Sequence, residues 1–170
     1  TYYFDKYNGN KLVGVYWSLT SFDGDAYFNG AKSQTDTIAF SKLGLLLTNE
    51  FRAKHNLAPL ALYEPVAHVG YKHSLDMFKR NYFAHESPEG QTLYYRTNPS
   101  RTGLNFDSIG DHPLVAENLA QIHTDGLFAA HNKWINSPDH RQHVVYTEYT
   151  HLGLGVTNQF YTMMFITPLY

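Results

Sequence analysis

Apolar residues recur at helical spacing in two long segments of the chain. In residues 40–55 every third or fourth position is apolar, and residues 65–80 repeat this spacing. Pro65 suits the first turn of the second segment, because that position of a helix needs no backbone N–H donor. The pattern predicts two amphipathic helices, and the apolar face of each requires a partner layer.

The spacing changes toward the C-terminus. Residues 127–136 keep the helical period and end at Ser137-Pro138, after which one or two further helical turns are expected. Residues 151–156 and 159–166 alternate with a period of two, and the pair Thr157-Asn158 between them predicts a hairpin. Helices first and a hairpin last predict an α+β domain in which helices cover an antiparallel sheet.

Two stretches have no sustained period. Residues 98–113 are rich in Pro, Gly, Ser and Asp and predict a loop, which follows a short helix near residues 93–95. Residues 1–35 contain one apolar run, residues 11–17, bounded by turn residues, which predicts a strand or hairpin. This segment is too short to be a domain. It is either an arm on the main domain, residues 36–170, or the end of a preceding domain.

Composition narrows the classes of protein to consider. The chain has 170 residues, enough for one domain with a substantial core, and a formal net charge of -2. No block of basic residues is present, so nucleic acid is not an expected partner. The longest apolar run, residues 43–47, is too short for a transmembrane segment. The absence of cysteine excludes disulfides and a thiol nucleophile, and any export signal is expected to have been removed.

Short motifs follow one another in a fixed order through residues 38–166. They include FAHESPEG at residues 83–90, AENLA at 116–120, WINSPDHR at 134–141 and GLGV at 153–156. In this order they resemble the motifs of bacterial CAP domains, the superfamily of cysteine-rich secretory, antigen 5 and pathogenesis-related 1 proteins. The resemblance implies a three-layer α/β/α sandwich with a central antiparallel sheet. It also implies export to the cell surface, the cell wall or the medium.

The resemblance further implies a shallow cleft lined by polar residues. His85 and Glu117 match two of the four cleft residues of plant and animal members. The position of the second glutamate falls on Ser137, and that of the last histidine falls on Glu148. His140, from the bacterial motif, is expected to supply the missing imidazole. The altered tetrad weakens the transfer of any activity from those members.

Two geometric expectations follow for this cleft. Glu117 is expected to be buried and to accept a hydrogen bond from a cleft histidine, because buried polar groups need partners. The side chains of His85 and His140 are expected to converge on one surface concavity, although they are far apart in the sequence.

Three functions remain open for such a site. We favour a non-enzymatic module that binds a lipid, glycan or peptide ligand at the cell envelope. The alternative is a metal-dependent, protease-like hydrolase, since His85, Glu117 and His140 would suffice to hold Zn²⁺ or another divalent metal with one position open for water. The third is a structural or interaction domain with a vestigial cleft.

For the other histidines and the tyrosines, the sequence mostly favours a structural role over ligand binding. His73 lies on the apolar stripe of the second helix, which favours a hydrogen-bonded core histidine. His140 and His143 are one helical turn apart, a spacing that suits a surface metal pair, but Arg141 between them favours a solvated turn. Five tyrosines either line an aromatic groove or, for most of them, cover the sheet: Tyr94, Tyr95, Tyr146, Tyr149 and Tyr161.

Overall fold

A computed structural model describes residues 4–5, 11–12, 34–109, 112–123 and 126–169 of the chain. Near the N-terminus it contains a two-residue antiparallel ladder of β1, Phe4–Asp5, and β2, Lys11–Leu12. The other expectations for residues 1–35, including their role as an arm or as the end of a preceding domain, lie outside the described residues and stay predictions.

The main domain is built from helices and strands that alternate irregularly along the chain. Its helices in the described ranges are α1 Gln34–Lys54, α2 Glu64–Arg80, α3 Leu93–Thr97, α4 Pro99–Thr102, α5 Gly126–Asn136 and α6 Pro138–Val145. Its strands there are β3 Ala61–Leu62, β4 Ser108–Ile109, β5 His112–Pro113, β6 Val115–Gln121, β7 His151–Thr157 and β8 Phe160–Ile166. The predicted helices at residues 40–55, 65–80 and 127–136, and the C-terminal hairpin, are confirmed.

The central sheet has the strand order β3-β7-β8-β6. The hairpin pairs His151 of β7 with Ile166 of β8, and β6 pairs antiparallel along the other side of β8. The two-residue strand β3 is parallel to β7 at one edge, so the antiparallel part of the sheet is formed by β6, β7 and β8. The strand β6 therefore forms the opposite edge.

Helices cover both faces of this sheet. Along β8, Tyr161, Met163 and Phe165 belong to the larger core that contains side chains of α1, α5 and α6. Met164 and Ile166 belong to a core with side chains of α2 on the other face. Successive residues of a strand point to opposite faces of the sheet. Because helices cover both faces, both sets of β8 side chains are buried. The three-layer α/β/α arrangement agrees with the expected fold class.

Helix α2 lies unusually close to the sheet at two glycines of β7. A Cβ atom on Gly155 would lie 1.8 Å from the backbone nitrogen of Tyr71, and one on Gly153 would lie 2.4 Å from that of Ala67. Both distances are far below van der Waals contact. The spacing of these glycines by two residues puts both on the face toward α2, which gives the GLGV motif a packing role.

The structure differs from the sequence-based expectations in two elements. Strand β6 was not predicted, because Glu117 and Asn118 interrupt its apolar pattern. The region 98–113, expected to be a loop, contains α4 and the small ladder of β4 with β5. Among the helices that the structure describes, none has the length and apolar character needed to cross a membrane.

Candidate functional site

Glu117 lies in the middle of the edge strand β6 and is buried, with 4% of the residue exposed. Its Oε1 atom accepts a hydrogen bond from Nη2 of Arg96 at 2.6 Å. The same oxygen is 3.0 Å from Nδ1 of His85, whose side chain is 59% exposed. The expectation that Glu117 is buried against a cleft histidine agrees with this geometry.

The charge of Glu117 is stabilised by these two partners. Burial alone would raise the pKa of Glu117, but the hydrogen bond from His85 and the positive charge of Arg96 outweigh it and hold the pKa below its ordinary value. Two atoms of this group, Oε2 of Glu117 and Nε of Arg96, are buried without a hydrogen-bond partner. The carboxylate is therefore an anchored counter-ion within the protein interior.

Arg96 of α3 also holds the loop that carries His85. Its Nη1 atom donates to the carbonyl oxygens of His85, at 2.8 Å, and Gln91, at 2.9 Å. The other end of the loop is tied to α2, because Arg80 pairs with Glu89 in two hydrogen bonds, one of them 2.8 Å long. These contacts fix the backbone of a segment that has little regular structure.

A second group of polar residues lies on the other face of β6. Nδ2 of Asn118 donates to the carbonyl oxygen of His140 at 2.9 Å, and Oδ1 of Asn118 is 2.8 Å from Nδ1 of His143. Nδ1 of His140 is 2.8 Å from the hydroxyl of Ser137, the residue before α6. Asn118 thus holds both histidines of α6 against the sheet.

The edge of β6 brings these two groups together. Burial lowers the pKa of His140, and the charge of His85 lowers it further. Burial also lowers the pKa of His143, with additional contributions from the charges of His140 and His85. Glu117 and Asn118 are adjacent in β6, so all three histidines are bonded to one short stretch of the edge strand. We call His85, His140 and His143 the imidazole trio, and the trio together with Glu117 and Asn118 the edge site.

Other residues singled out from the sequence lie in different surroundings. Glu148 is exposed, and its carboxylate accepts a hydrogen bond from Thr147 at 3.0 Å. Within the described ranges, no hydrogen bond or ion pair joins that carboxylate to the edge site, and its role as a cleft residue stays a prediction. His73 is buried and 3.0 Å from the carbonyl of Ala84, as a core histidine should be.

Some residues of the edge site escaped prediction from the sequence. His143 was expected on a solvated turn, but it is half-buried and bonded to Asn118. Asn118 stood inside the AENLA motif without an assigned role. Arg96 belongs to none of the motifs, and no local signal in the sequence identifies it, because its bond to Glu117 joins residues that are 21 positions apart.

A metal ion held by His85, Glu117 and His140 meets a difficulty in this geometry. One carboxylate oxygen of Glu117 is engaged by Arg96 and His85, and the other is buried. In the part of the chain that the structure describes, no group of three or more His, Cys, Asp or Glu residues is placed to hold a metal ion. The side chains of His85, Glu117 and His140 are therefore not arranged to coordinate a metal ion together. Metal binding stays an untested prediction.

Comparison with known proteins gives a family for the domain. The model of the CAP family, described as the cysteine-rich secretory protein family, matches residues 45–166. The chain is 40% identical over 120 residues to the uncharacterized membrane protein YlbC of Bacillus subtilis (strain 168). That match covers 71% of this chain and 32% of YlbC, so the chain spans about a third of that relative.

Solved structures extend the comparison to the fold. An extracellular protein of Bacillus anthracis str. Ames that contains an SCP domain has a TM-score of 0.64 and 35% identity, over 81% of this chain and 45% of that one. An outer surface protein of Borrelia burgdorferi has a TM-score of 0.60 and 20% identity, over 75% of this chain and 92% of that one. The second likeness concerns the fold alone.

Proposed function

The chain belongs to the CAP family of cysteine-rich secretory proteins, and from this membership we propose that it acts outside the cell as a non-enzymatic module that binds a ligand through the edge site. The observation that carries the proposal is the anchored carboxylate of Glu117. It is bonded to Arg96 and His85, and it holds an exposed imidazole in a fixed position without being exposed itself.

Preorganisation of this kind supports binding. A polar group whose conformation is already fixed loses little entropy when a ligand contacts it. Each ring of the imidazole trio is held through its Nδ1 atom, by Glu117 for His85, by Ser137 for His140 and by Asn118 for His143. A rigid set of hydrogen-bonding side chains at the surface is what a specific ligand requires.

The state of Glu117 argues against a role in acid–base catalysis. A general base needs a pKa near the working pH and must reach the substrate, whereas the pKa of Glu117 is lowered and both of its oxygens are turned into the protein. The position that carries a second glutamate in plant and animal members is Ser137, whose hydroxyl contacts His140. The proposal therefore assigns Glu117 a positioning role.

The names of the similar proteins support an extracellular location. One is an extracellular protein that contains an SCP domain, and YlbC is described as a membrane protein. We propose that this domain is displayed at the cell envelope or released from it, where a lipid, glycan or peptide is the available type of ligand.

Nuclear magnetic resonance of the imidazole nitrogens tests this function. The probes are a soluble β-1,4-linked N-acetylglucosamine hexasaccharide, vesicles of mixed neutral and anionic phospholipid, and an unstructured decapeptide. At least one probe should shift the signals of His85 and His140 and bind more weakly to His85→Ala, while no product forms. No shift with any probe would contradict the proposal.

The hydrolase alternative predicts a different result in the same samples. With Zn²⁺ added, a probe would be cleaved by the wild-type protein, and cleavage would be lost in both His85→Ala and His140→Ala. Calorimetric titration with Zn²⁺ alone separates the two ideas, because a metal enzyme requires Zn²⁺ affinity that depends on both histidines. Turnover with this dependence would overturn the non-enzymatic proposal.

A further inference from the structure

The three rings of the imidazole trio are alike in the hydrogen bonding of their Nε2 atoms. None of the hydrogen bonds among the described residues uses Nε2 of His85, His140 or His143. None of these atoms is among the buried, unpartnered polar atoms of the described part either. The Nε2 atoms therefore have no hydrogen-bond partner in the described part of the chain, and the ring of His85 is exposed while those of His140 and His143 are half-buried.

The partners at Nδ1 determine the tautomer of two of these rings. A carboxylate only accepts hydrogen bonds, so Nδ1 of His85 carries the hydrogen that faces Glu117. The carbonyl of His140 only accepts, so Asn118 donates to it through Nδ2 and turns Oδ1 toward His143, whose Nδ1 carries a hydrogen as well. In their neutral forms both rings present a lone pair at Nε2, which accepts hydrogen bonds from a ligand.

Two exposed tyrosines stand next in sequence to residues that are bonded to the edge site. Tyr146 follows α6, is 40% exposed, and packs edge-on against Tyr149 with 5.0 Å between the ring centroids. Tyr94 of α3 is 56% exposed. Tyr94 stands two residues before Arg96, which donates to Glu117, and Tyr146 stands three residues after His143, which is bonded to Asn118.

The backbone around these tyrosines is fixed by buried cations. Arg52 is almost fully buried and donates to the carbonyl oxygens of Val144 and Tyr146, at 2.8 and 3.0 Å. Arg96, two residues after Tyr94, donates to Glu117 and to the loop of His85. The aromatic rings are thus exposed on a backbone that is rigidly attached to the edge site.

We propose that the edge site and the rings of Tyr94 and Tyr146 form one binding surface for a neutral oligosaccharide. This inference rests on the proposed ligand-binding function and names the class of ligand. Sugar hydroxyls donate hydrogen bonds to the open Nε2 atoms of His85 and His143. The flat C–H face of a pyranose ring packs on an exposed tyrosine, which combines apolar contact with a polar edge.

Charge and strand geometry favour a glycan over the other two ligand classes. Arg96 is mostly buried and both of its terminal nitrogens are bonded within the protein, to His85, Gln91 and Glu117, so it is not available for the phosphate of an anionic lipid. A peptide that added a strand to β6 would need its free backbone groups, but the carbonyl of Leu119 already accepts from Trp134 at 2.9 Å. Neither obstacle affects a neutral, hydroxyl-rich ligand.

The sequence neighbour Tyr95 provides a matched control. It is 38% exposed and lies on the same helix as Tyr94, but the guanidinium of Arg101 covers its ring at 4.0 Å from the centroid. A sugar cannot stack on a face that is already occupied. Tyr95→Ala should therefore leave sugar binding unchanged, whereas Tyr94→Ala should weaken it.

Titration with the β-1,4-linked N-acetylglucosamine hexasaccharide tests the inference. The hexasaccharide should shift the Nε2 signals of His85 and His143, and its Kd should rise about tenfold in Tyr94→Ala and in Tyr146→Ala. Tyr146→Phe keeps the ring and should restore most of the affinity that Tyr146→Ala loses. This variant and Tyr95→Ala also separate loss of stacking from loss of folding, which amide spectra of all variants verify.

The other outcomes are decisive as well. If the hexasaccharide binds equally well to Tyr94→Ala, Tyr146→Ala and the wild type, or if only the peptide or the vesicles shift the imidazoles, the glycan inference is wrong while the ligand-binding function stands. If no probe shifts any imidazole signal, both the inference and the proposed function are wrong.

Discussion

At the scale of single residues, the ion pair of Glu117 and Arg96 carries the largest energetic consequence. Their side chains are only 2% and 11% exposed. Glu117→Gln removes the negative charge and leaves the guanidinium of Arg96 uncompensated in the interior. We expect this variant to lose about 3 kcal/mol of the free energy of unfolding, measured by chemical denaturation.

The exposed pair of Arg80 and Glu89 is the control for this prediction. Both of its side chains face solvent, so the attraction between them is screened and contributes little to stability. Glu89→Gln should leave the denaturation midpoint nearly unchanged. If Glu117→Gln and Glu89→Gln lost the same free energy of unfolding, burial of the Glu117 carboxylate would not be what makes its ion pair stabilising.

The sequence identified part of the edge site and missed the rest for a physical reason. His85, Glu117 and His140 stand in motifs, so their types and spacing indicated a polar site. Arg96 and His143 were missed because their roles depend on contacts across the fold, with Glu117 and Asn118 respectively. Long-range side-chain pairs leave no periodic signal in a single sequence.

At the scale of elements, the contact between α2 and β7 depends on glycine. A Cβ atom at residue 155 would meet the backbone of Gly70 and Tyr71 at about 2 Å, and neither backbone can move without separating the helix from the sheet. Gly155→Ala should therefore destabilise the domain by about 3 kcal/mol or more. The measurement is the thermal or chemical unfolding transition of the purified variant.

Gly44 on α1 is the matched glycine for comparison. A Cβ atom there would meet the ends of two flexible side chains, Leu154 at 3.0 Å and Met163 at 3.2 Å. These ends can shift, and alanine is favoured over glycine inside a helix by up to about 1 kcal/mol. Gly44→Ala should thus be close to neutral. A neutral Gly155→Ala would contradict the close approach of α2 to the sheet.

Element prediction succeeded where one period extended over many residues. The long helices and the C-terminal hairpin have such periods. Strand β6 is buried on both faces and includes Glu117 and Asn118, so neither alternation nor a continuous apolar run marks it. What makes this segment a strand is its antiparallel pairing with β8, which extends from Val115 to Gln121 and is not visible in the local sequence.

At the scale of the whole molecule, buried histidines make stability depend on pH. Burial lowers the pKa of His73 and of His131 to about 4, from an ordinary value of 6.5. Between these values the unfolded chain binds protons that the folded chain does not, so stability falls as pH decreases from about 6.5 to 4. Each histidine contributes about 1.4 kcal/mol per pH unit across this window.

His131→Leu isolates one of these contributions. The Nε2 atom of His131 is buried without a partner, so its removal should change stability little at pH 7.5. The loss of stability between pH 6.5 and 4 should become clearly smaller than in the wild type, as measured by urea denaturation at several pH values. The exposed His123 offers a comparison, because His123→Gln should retain the full acid dependence. An unchanged slope in His131→Leu would contradict this account.

The central claim is that His85, His140 and His143 form one site across the edge of β6. The most direct measurement is an NMR titration of every imidazole in the wild type and in His85→Gln. Since the charge of His85 lowers the pKa of His140 and of His143, both should titrate at higher pH in the variant. The pKa of His131, which burial alone lowers, should stay the same. If His140 and His143 titrate identically in both proteins, the three rings do not share a site.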